Sequence, residues 1–358
     1  MKFTSTEATP APHVPPGVLR LTGAAKEDIP MYRIQTMNKI SPVGLNRFPS
    51  ELYEVGDAVQ DPQGILVRSA KLLDLEFNPG LLAIARAGVG VNNIPLDRCA
   101  AAGIPVFSTP GANANAVKEL VICAMLMGSR DIPGAIRWVR EQAASGADVS
   151  TVVEKGKSAF IGPELYKKTL GIIGLGAIGS IVANTAISLG MDVYGYDPFL
   201  SVDTALRLDR HVHVVKDIND LYKRSNYITM HIHYTEKTAH MIDASAIAAM
   251  KRGVRVINLA RGEIVDDEAM LTALDTGMVA AYITDFPNNR LLTAPHVIAM
   301  PHLGASTPES EQNCAAMAVD TLRDYLESGN IRSSVNLPEM TMDRSGVQRL
   351  CILHKNVP

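Results

Sequence analysis

The segment Thr169-Leu-Gly-Ile-Ile-Gly174-Leu-Gly176-Ala-Ile-Gly179 constrains the fold of this chain more than any other stretch. It joins an apolar run, typical of a buried strand, to Gly-x-Gly-x-x-Gly and then to a run typical of a helix. Gly174 permits a tight turn, Gly176 lets a pyrophosphate approach the backbone, and Gly179 lets the helix pack closely on the strand. Free N–H groups at the helix start can then bind phosphate oxygens. The segment therefore predicts a dinucleotide-binding unit of strand, glycine loop and helix.

The acidic residue that such a unit requires closes the next apolar run. Asp197 ends Met191-Asp-Val-Tyr-Gly-Tyr-Asp197, and its carboxylate can accept hydrogen bonds from both hydroxyls of an adenosine ribose. The same carboxylate would repel a 2′-phosphate, and no arginine follows it closely. The sequence therefore favours NAD over NADP as the cofactor.

Short apolar runs alternate with longer amphipathic stretches along most of the chain. This alternation predicts an α/β fold in which helices cover both faces of parallel sheets. We expect strands at residues 32–37, 64–67, 82–86, 105–109, 169–173, 192–196, 227–231, 254–259, 281–284 and 334–337. We expect helices at residues 115–129, 178–189, 244–250, 266–276 and 307–328.

The length of 358 residues favours two lobes, because a single hydrophobic core stops growing at about 250–300 residues. We predict two Rossmann-like, doubly wound lobes, with the nucleotide lobe inserted into a discontinuous substrate lobe. The substrate-binding domain is expected at residues 31–130 plus 312–340, and the NAD-binding domain at residues 131–311. The proline-rich residues 1–30 are expected to form a disordered extension.

The charge balance and the hydropathy pattern exclude several classes of partner. The formal net charge is -3, so the chain lacks the electrostatic footprint of a protein that binds nucleic acid or an anionic membrane. Apolar runs are interrupted well before about 18 residues, which argues against a transmembrane helix. Scattered cysteines and the absence of a secretory pattern indicate a cytoplasmic protein. The pairs His211/His213 and His231/His233 have no evident third ligand, so no metal site is predicted.

Two candidate catalytic side chains lie at the ends of strands in the predicted nucleotide lobe. Arg261 ends the run Val256-Ile-Asn-Leu-Ala-Arg261, and its planar guanidinium can hold a carboxylate through two hydrogen bonds. His302 lies in Met300-Pro-His302 and can accept or donate a proton near neutral pH. Taken alone, either residue would more often have a surface or structural role. Because ligands bind at the carboxyl ends of strands in open α/β sheets, their shared location favours a catalytic role for both residues.

Six stretches carry a resemblance to a known family: LVRS at 66–69, ARAGVGVNNI at 85–94, STPGANA at 108–114, LGIIGLGAIG at 170–179, NLARGEIVD at 258–266 and PHLGAST at 301–307. Together they resemble the D-isomer-specific 2-hydroxyacid dehydrogenases, and within them the branch that oxidises D-3-phosphoglycerate for serine biosynthesis. The match extends in unbroken order over about residues 31–337. Such a set is more specific than any single motif.

The resemblance implies roles for individual residues. It implies that Arg261 binds and polarises the carboxylate and C2 oxygen of a small phosphorylated hydroxy acid, and that His302 donates and accepts the proton. Cofactor contacts are implied at Gly174, Gly176, Ala177, Ile178, Gly179, Asp197, Thr235, Leu259, Ala260 and Asp285, the last near the nicotinamide amide. Substrate contacts are implied at Arg68, Ser69, Arg86, Gly88, Val89, Gly90 and Asn113, with the two arginines as cations for the phosphate.

The chain departs from the family at Arg290, where a glutamate normally pairs with the catalytic histidine. A cation beside His302 would disfavour the protonated imidazole and weaken its role as an acid. Asp285 or Glu263 could compensate, or Arg290 could point away from the histidine. The sequence leaves these alternatives open.

The resemblance also predicts assembly and regulation. The apolar helix over residues 114–128, followed by Arg130-Asp-Ile-Pro133, resembles the segment through which family members form homodimers. Residues 341–358 resemble the opening strand of an ACT regulatory domain, so we expect an incomplete domain there. Two alternative functions remain: a dehydrogenase of another 2-hydroxy acid, such as glycerate or lactate, and a binding protein that senses NAD.

Overall fold

The computed structural model describes residues 18–22, 31–343 and 348–352. The chain divides into two compact units. The first combines the residues up to Ala112 with those from Glu311 onwards, and the second is Asn113–Ser310. In addition, strand β1 (Val18–Thr22) pairs antiparallel with strand β14 (Gln348–Ile352) in a two-stranded sheet.

The first unit is built on a five-stranded parallel sheet. Its strands are β2 (Tyr32–Thr36), β3 (Tyr53–Gly56), β4 (Gly64–Val67), β5 (Ala83–Arg86) and β6 (Val106–Phe107), in the order β3-β2-β4-β5-β6. Its helices are α1 (Pro42–Leu45), α2 (Leu96–Ala101) and most of α11 (Pro308–Ser328). The apolar face of α11 buries Ala318 and Leu322 against Ile34 and Leu66 of the sheet. Full burial of a leucine or isoleucine side chain stabilises the fold by about 1.5–3 kcal/mol relative to exposure.

The second unit is built on a seven-stranded parallel sheet. Its strands are β7 (Thr169–Ile173), β8 (Asp192–Tyr196), β9 (Val212–Val215), β10 (Tyr227–Met230), β11 (Val254–Asn258), β12 (Val279–Thr284) and β13 (Val297–Ala299). They are arranged in the order β13-β12-β11-β10-β7-β8-β9. The order reverses at β7, and ligands bind at such a switch point in open α/β sheets.

Helices cover both faces of this sheet. They are α3 (Ala114–Arg130), α4 (Ile132–Ala144), α5 (Val149–Gly156), α6 (Ala177–Ser188), α7 (Val202–Arg207), α8 (Ile218–Arg224), α9 (Ala244–Ala248) and α10 (Asp267–Asp275). Successive strand residues enter opposite cores: Ile172 packs in the cluster with α3 and α6, and Ile173 in the cluster with α8, α9 and α10. Burial on both sides explains why the strands are continuous apolar runs. The predicted α/β fold with two parallel sheets is confirmed.

The structure differs from the sequence-based boundaries in three places. Helix α3 belongs to the second unit, because Val121 and Met125 pack in the same core as Val182 of α6, so the boundary follows Ala112 and not residue 130. Residues 334–337 form no strand; Ser334 makes a single bridge with Phe107. Within the expected disordered extension, Val18–Thr22 is a strand, in keeping with its apolar, proline-free sequence. The remainder of residues 1–30, and residues 344–347 and 353–358, lie outside the described residues.

Besides β1, three strands escaped the sequence prediction: β3, β9 and β13. Each is only three or four residues long, and β3 and β9 lie at sheet edges where burial is incomplete. Among the helices of the described ranges, none combines the length and the apolar character that a bilayer crossing requires.

Candidate active site

The glycine loop between β7 and α6 forms a cradle at the start of α6. Gly174 has φ +89, a left-handed conformation, and a Cβ there would lie 2.5 Å from the carbonyl oxygen of His231. A Cβ at Gly179 would collide with the carbonyl oxygen of Gly174, so this position holds the helix close to the loop. A Cβ at Gly176 would meet nothing within 4 Å. The space above Gly176 is therefore open in the protein and fits a pyrophosphate beside the N–H groups of Ala177 and Ile178.

Asp197 lies where β8 ends, next to this loop. One carboxylate oxygen accepts a hydrogen bond from the N–H of Leu175 at 2.9 Å, and the other accepts one from the N–H of Phe199 at 2.9 Å. These bonds fix the orientation of the carboxylate. Each oxygen has a second lone pair, so the group can still accept hydrogen bonds from ribose hydroxyls.

The remaining residues of the expected cofactor site also follow strands of the second sheet. Thr235 lies in the loop after β10, where its hydroxyl lies 3.1 Å from that of Thr238. Leu259 and Ala260 follow β11, with Leu259 buried. These positions join the glycine loop and Asp197 at the carboxyl-end edge of one sheet.

The histidine pairs noted in the sequence have no ligand-like arrangement. His231 lies partly buried just after β10, its Nε2 lies 3.2 Å from the Thr229 hydroxyl, and burial lowers its pKa to about 4. His213 stacks on Tyr194 with ring centroids 4.8 Å apart. In the ranges that the structure describes, no group of three or more His, Cys, Asp or Glu side chains could hold a metal ion.

The turn after β11 is held by Asn258, a fully buried side chain. Its Nδ2 donates to the carbonyl of Arg261 at 2.8 Å, and its Oδ1 accepts from the N–H of Ala260 at 3.1 Å. The same Nδ2 lies 3.3 Å from the Tyr282 hydroxyl. The amide thus fixes the backbone from which Arg261 projects. Sequence reasoning assigned Asn258 no role, although an amide inside an apolar strand is a signal for buried hydrogen bonding.

Arg261, Phe286 and His302 come together at the ends of three adjacent strands. They follow β11, β12 and β13, and β12 lies between the other two. The guanidinium of Arg261 lies over the Phe286 ring, 5.8 Å from its centroid. The rings of Phe286 and His302 have centroids 4.7 Å apart and planes inclined at 47°. Both expected catalytic residues therefore contact one aromatic ring.

Asp285 is buried beside this group, with 1% of its surface exposed. One carboxylate oxygen accepts a hydrogen bond from the N–H of Gly304 at 3.3 Å, while Oδ1 has no hydrogen-bond partner among the described residues. Burial raises the pKa of Asp285, and the nearby His302 opposes that rise. A buried acceptor without a partner normally costs about 1–3 kcal/mol. The unpartnered oxygen therefore fits a donor from a bound group, such as the carboxamide N–H of nicotinamide.

Arg290 forms an ion pair with Glu268, which lies in the first turn of α10. The pair lines a cavity of about 800 Å³ together with His302, Phe286 and Asp285. Arg290, which stands where a glutamate was expected, thus has its positive charge paired with the carboxylate of Glu268 from α10.

The expected substrate residues, apart from Asn113, lie in the first unit, at the end of β5 and in the loops after β4 and β5. Arg68 donates to Glu311 of α11 at 2.6 Å, and the Nε of Arg86 donates to the carbonyl of Arg68 at 3.0 Å. Gly88 has φ +157, and a Cβ there would lie 2.7 Å from the guanidinium of Arg86. Ser69, Val89 and Gly90 belong to the same two loops. The two arginines are thus neighbours, linked through the loop backbone.

Asn113 belongs to the second unit, where it caps the start of α3 without a side-chain cap bond. Its Oδ1 is buried and has no hydrogen-bond partner among the described residues. The structure thus divides the expected site residues between the two units, with Arg261, His302, Asn113 and the cofactor residues in the second.

Comparison with known proteins agrees with this arrangement. Residues 122–304 match the family described as D-isomer specific 2-hydroxyacid dehydrogenase, NAD binding domain. A D-3-phosphoglycerate dehydrogenase from Synechocystis sp. is 36% identical over 326 residues, which cover 88% of this chain and 56% of the relative. One from Methanocaldococcus jannaschii is 34% identical over 302 residues, covering 82% and 55%. The chain therefore spans just over half the length of these curated relatives.

Solved structures have the same fold. A cofactor (NAD+)-bound 3-phosphoglycerate dehydrogenase from Entamoeba histolytica is 26% identical, with a TM-score of 0.66 and coverage of 86% of this chain and 99% of that one. The holo form of Rhodotorula graminis D-mandelate dehydrogenase has a TM-score of 0.72 at 21% identity, covering 86% and 98%. With the matched NAD-binding domain, these findings confirm NAD as the cofactor.

Proposed function

This chain belongs to the D-isomer specific 2-hydroxyacid dehydrogenase family, and we propose that it oxidises D-3-phosphoglycerate to 3-phosphohydroxypyruvate with NAD. The observation that carries the proposal is the cluster at the ends of β11, β12 and β13, where a guanidinium and an imidazole contact one ring. Curated relatives named D-3-phosphoglycerate dehydrogenase, 34–36% identical, support the choice of substrate.

In the proposed reaction, His302 accepts the proton of the C2 hydroxyl while the hydride of C2 leaves. NAD, when bound, supplies the hydride acceptor. Arg261 binds the substrate carboxylate through the two N–H groups of its fork, which fixes C2 and polarises its oxygen. Asp285 accepts a hydrogen bond from the nicotinamide carboxamide, and the loop of Gly174, Gly176 and Gly179 receives the pyrophosphate. In the reverse direction His302 returns the proton to the C2 oxygen.

The phosphate of the substrate requires cations, and we assign these to Arg68 and Arg86. Support for this assignment comes from their positions at the ends of the adjacent strands β4 and β5, and from the hydrogen bond that Arg86 donates to the Arg68 carbonyl. Arg68 is about 42% exposed and paired with Glu311. An exposed ion pair of this kind is worth about 0–1 kcal/mol, so a phosphate dianion can displace Glu311 from the guanidinium.

Substitution of Arg68 by glutamine is expected to lower kcat/KM for D-3-phosphoglycerate by about 10–100-fold, because a hydrogen bond to a charged group contributes about 1.5–3 kcal/mol. Turnover of D-glycerate, which has no phosphate, should change little. Initial rates of NADH formation with both substrates measure this difference. The matched control is Arg47→Gln, because Arg47 forms a similar exposed pair with Asp320 of α11 at 2.7 Å.

The same substrate panel separates the alternatives. A preference for glycerate or lactate over D-3-phosphoglycerate would contradict the proposed substrate and favour another 2-hydroxyacid dehydrogenase. NAD binding without NADH formation from any 2-hydroxy acid would favour an NAD-sensing protein.

We further propose that the chain forms homodimers through α3 and α4. Leu126 on α3 and Ile136 on α4 are exposed to 39% and 50%, and α4 contributes to a shallow cavity of about 450 Å³. Exposed apolar side chains on adjacent helices favour burial against a second copy. Sedimentation equilibrium should give twice the chain mass, and Ile136→Asp should shift it towards one chain; a wild-type mass of one chain would contradict the dimer.

We assign the enzyme to the cytoplasm. Cys99, Cys123 and Cys314 are free thiols, as is usual in a reducing compartment. Cys99 and Cys314 are buried, and Cys123 is exposed. Cell fractionation tests this assignment.

A further inference from the structure

The Phe286 ring occupies the position between the two expected catalytic side chains. Phe286 follows the middle strand of three, so its ring faces Arg261 from one neighbouring strand and His302 from the other. Its backbone is fixed, because the N–H of Phe286 donates to the Thr284 hydroxyl at 3.0 Å. A Cβ at Gly262 would lie 3.4 Å from the Cβ of Phe286, so the turn after β11 packs against the base of this side chain. The local backbone thus holds the ring in one place.

His302 has few other contacts that could set the direction of its imidazole. In the described residues, the ring nitrogens of His302 make no hydrogen bond; its backbone carbonyl accepts one from Ser306 at 3.4 Å. Arg290, at the position where a glutamate would orient the histidine, is engaged by Glu268. Within the described ranges, Phe286 is the aromatic residue whose ring contacts the His302 imidazole. Such contacts favour a definite inclination between the two rings.

Arg261 is held by two contacts. Its Nη1 donates to the carbonyl of Ala260 at 2.7 Å, and its guanidinium carbon lies over the Phe286 ring. A guanidinium within about 6 Å of a ring centroid is attracted by the negative face of the ring. In the described ranges, neither a hydrogen bond nor an ion pair engages Nε or Nη2 of Arg261, so these donors can bind a carboxylate.

We propose that Phe286 is a positioning residue, which aligns the Arg261 guanidinium and the His302 imidazole with the same substrate carbon. The proposal rests on the proposed function, since it assigns to an aromatic ring the orienting role that a glutamate has elsewhere in the family. Phe286 touches neither substrate nor proton in this scheme. It acts by limiting the orientations of the two groups that do.

The test compares Phe286→Leu, which keeps an apolar side chain without a ring, with Phe286→Tyr, which keeps the ring. Phe286→Leu is expected to lower kcat about tenfold, equivalent to about 1.4 kcal/mol, with little change in KM for NAD. Phe286→Tyr should retain most of the wild-type kcat, because it keeps the aromatic ring. The control is Phe77→Leu, which removes a ring from beneath the Arg98 guanidinium, whose carbon lies 5.0 Å from the ring centroid, in the other unit. This control should leave kcat unchanged.

A second readout needs no substrate. The ring current of Phe286 displaces the imidazole proton resonances of His302, which are assigned by their loss in His302→Asn. Phe286→Leu should move these resonances and Phe286→Tyr should not. Unmoved resonances, or full kcat in Phe286→Leu, would overturn the proposal. A different result would overturn the proposed function itself: a wild-type chain that is inactive on all 2-hydroxy acids. If the His302 resonances of that chain still differed from those of Phe286→Leu, the ring contact would be present, but Phe286 would have no positioning role in catalysis.

Discussion

Replacement of His302 by asparagine is expected to reduce kcat for D-3-phosphoglycerate oxidation by about 10²–10⁴-fold, the contribution typical of a positioned acid or base. The asparagine amide cannot accept the hydroxyl proton, yet it is polar and similar in size. NAD binding should be preserved, because the glycine loop and Asp197 lie on other strands of the sheet. Stopped-flow and steady-state measurements of NADH formation give kcat, and calorimetric titration gives the Kd for NAD.

A second histidine provides the control for this experiment. His240 also lines the cavity and is 64% exposed, with its Nδ1 3.8 Å from Asp266. Its φ is +49, a conformation that asparagine tolerates better than most residues. His240→Asn should therefore fold normally and keep its activity. A His302→Asn variant that is as active as His240→Asn would exclude His302 as the acid and base.

Arg261→Lys tests the second catalytic side chain of the proposed reaction. The substitution keeps the positive charge but removes the planar guanidinium that can form two parallel hydrogen bonds. We expect kcat/KM to fall about 10–100-fold through the loss of a charged hydrogen bond. The deficit should appear with each 2-hydroxy acid, since all carry the carboxylate. An effect confined to phosphorylated substrates would instead assign Arg261 to the phosphate.

The elements that were predictable from the sequence depend on local pattern. The strand, glycine loop and helix around Gly174 follow from residue spacing, and Arg261 and His302 were found because each follows an apolar run. Chain periodicity does not reveal packing between distant segments. Helix α3 was assigned to the wrong unit because its partner, α6, lies far along the chain. The direction of the Arg290 side chain could not be predicted for the same reason, because its ion-pair partner Glu268 belongs to another element.

Phe286 shows most clearly why part of the site escaped sequence analysis. Its contacts depend on the adjacency of β11, β12 and β13, and β13 is a strand of three residues with no distinct sequence signal. An aromatic residue after a strand is more often a core residue than a positioning one. Only the order of strands in the sheet brings its ring between Arg261 and His302.

The second prediction concerns two glycine-to-alanine substitutions in the glycine loop. One is expected to weaken NAD binding with little loss of stability, and the other to destabilise the fold. Gly176→Ala adds a methyl group to open space in the protein, so the free energy of unfolding should fall by less than about 2 kcal/mol, the upper cost of replacing a capping side chain by alanine at a helix N-cap. The same methyl group occupies the space that the pyrophosphate needs. The Kd for NAD should therefore rise at least tenfold, a loss of about 1.4 kcal/mol in binding.

Gly179→Ala should instead mainly lower the free energy of unfolding. Its new Cβ would collide with the carbonyl oxygen of Gly174 and lie 3.3 Å from Cγ2 of Ile172. Relief of the overlap requires α6 to move from β7, and overpacking of this kind costs about 1–3 kcal/mol or more. Denaturant unfolding of the ligand-free protein should show this loss directly, while Gly56→Ala, whose Cβ would have an ordinary contact at 3.5 Å, serves as the control. If Gly176→Ala bound NAD normally, the pyrophosphate could not lie over Gly176. If Gly179→Ala were fully stable, the close approach of α6 to the glycine loop would not be required by the fold.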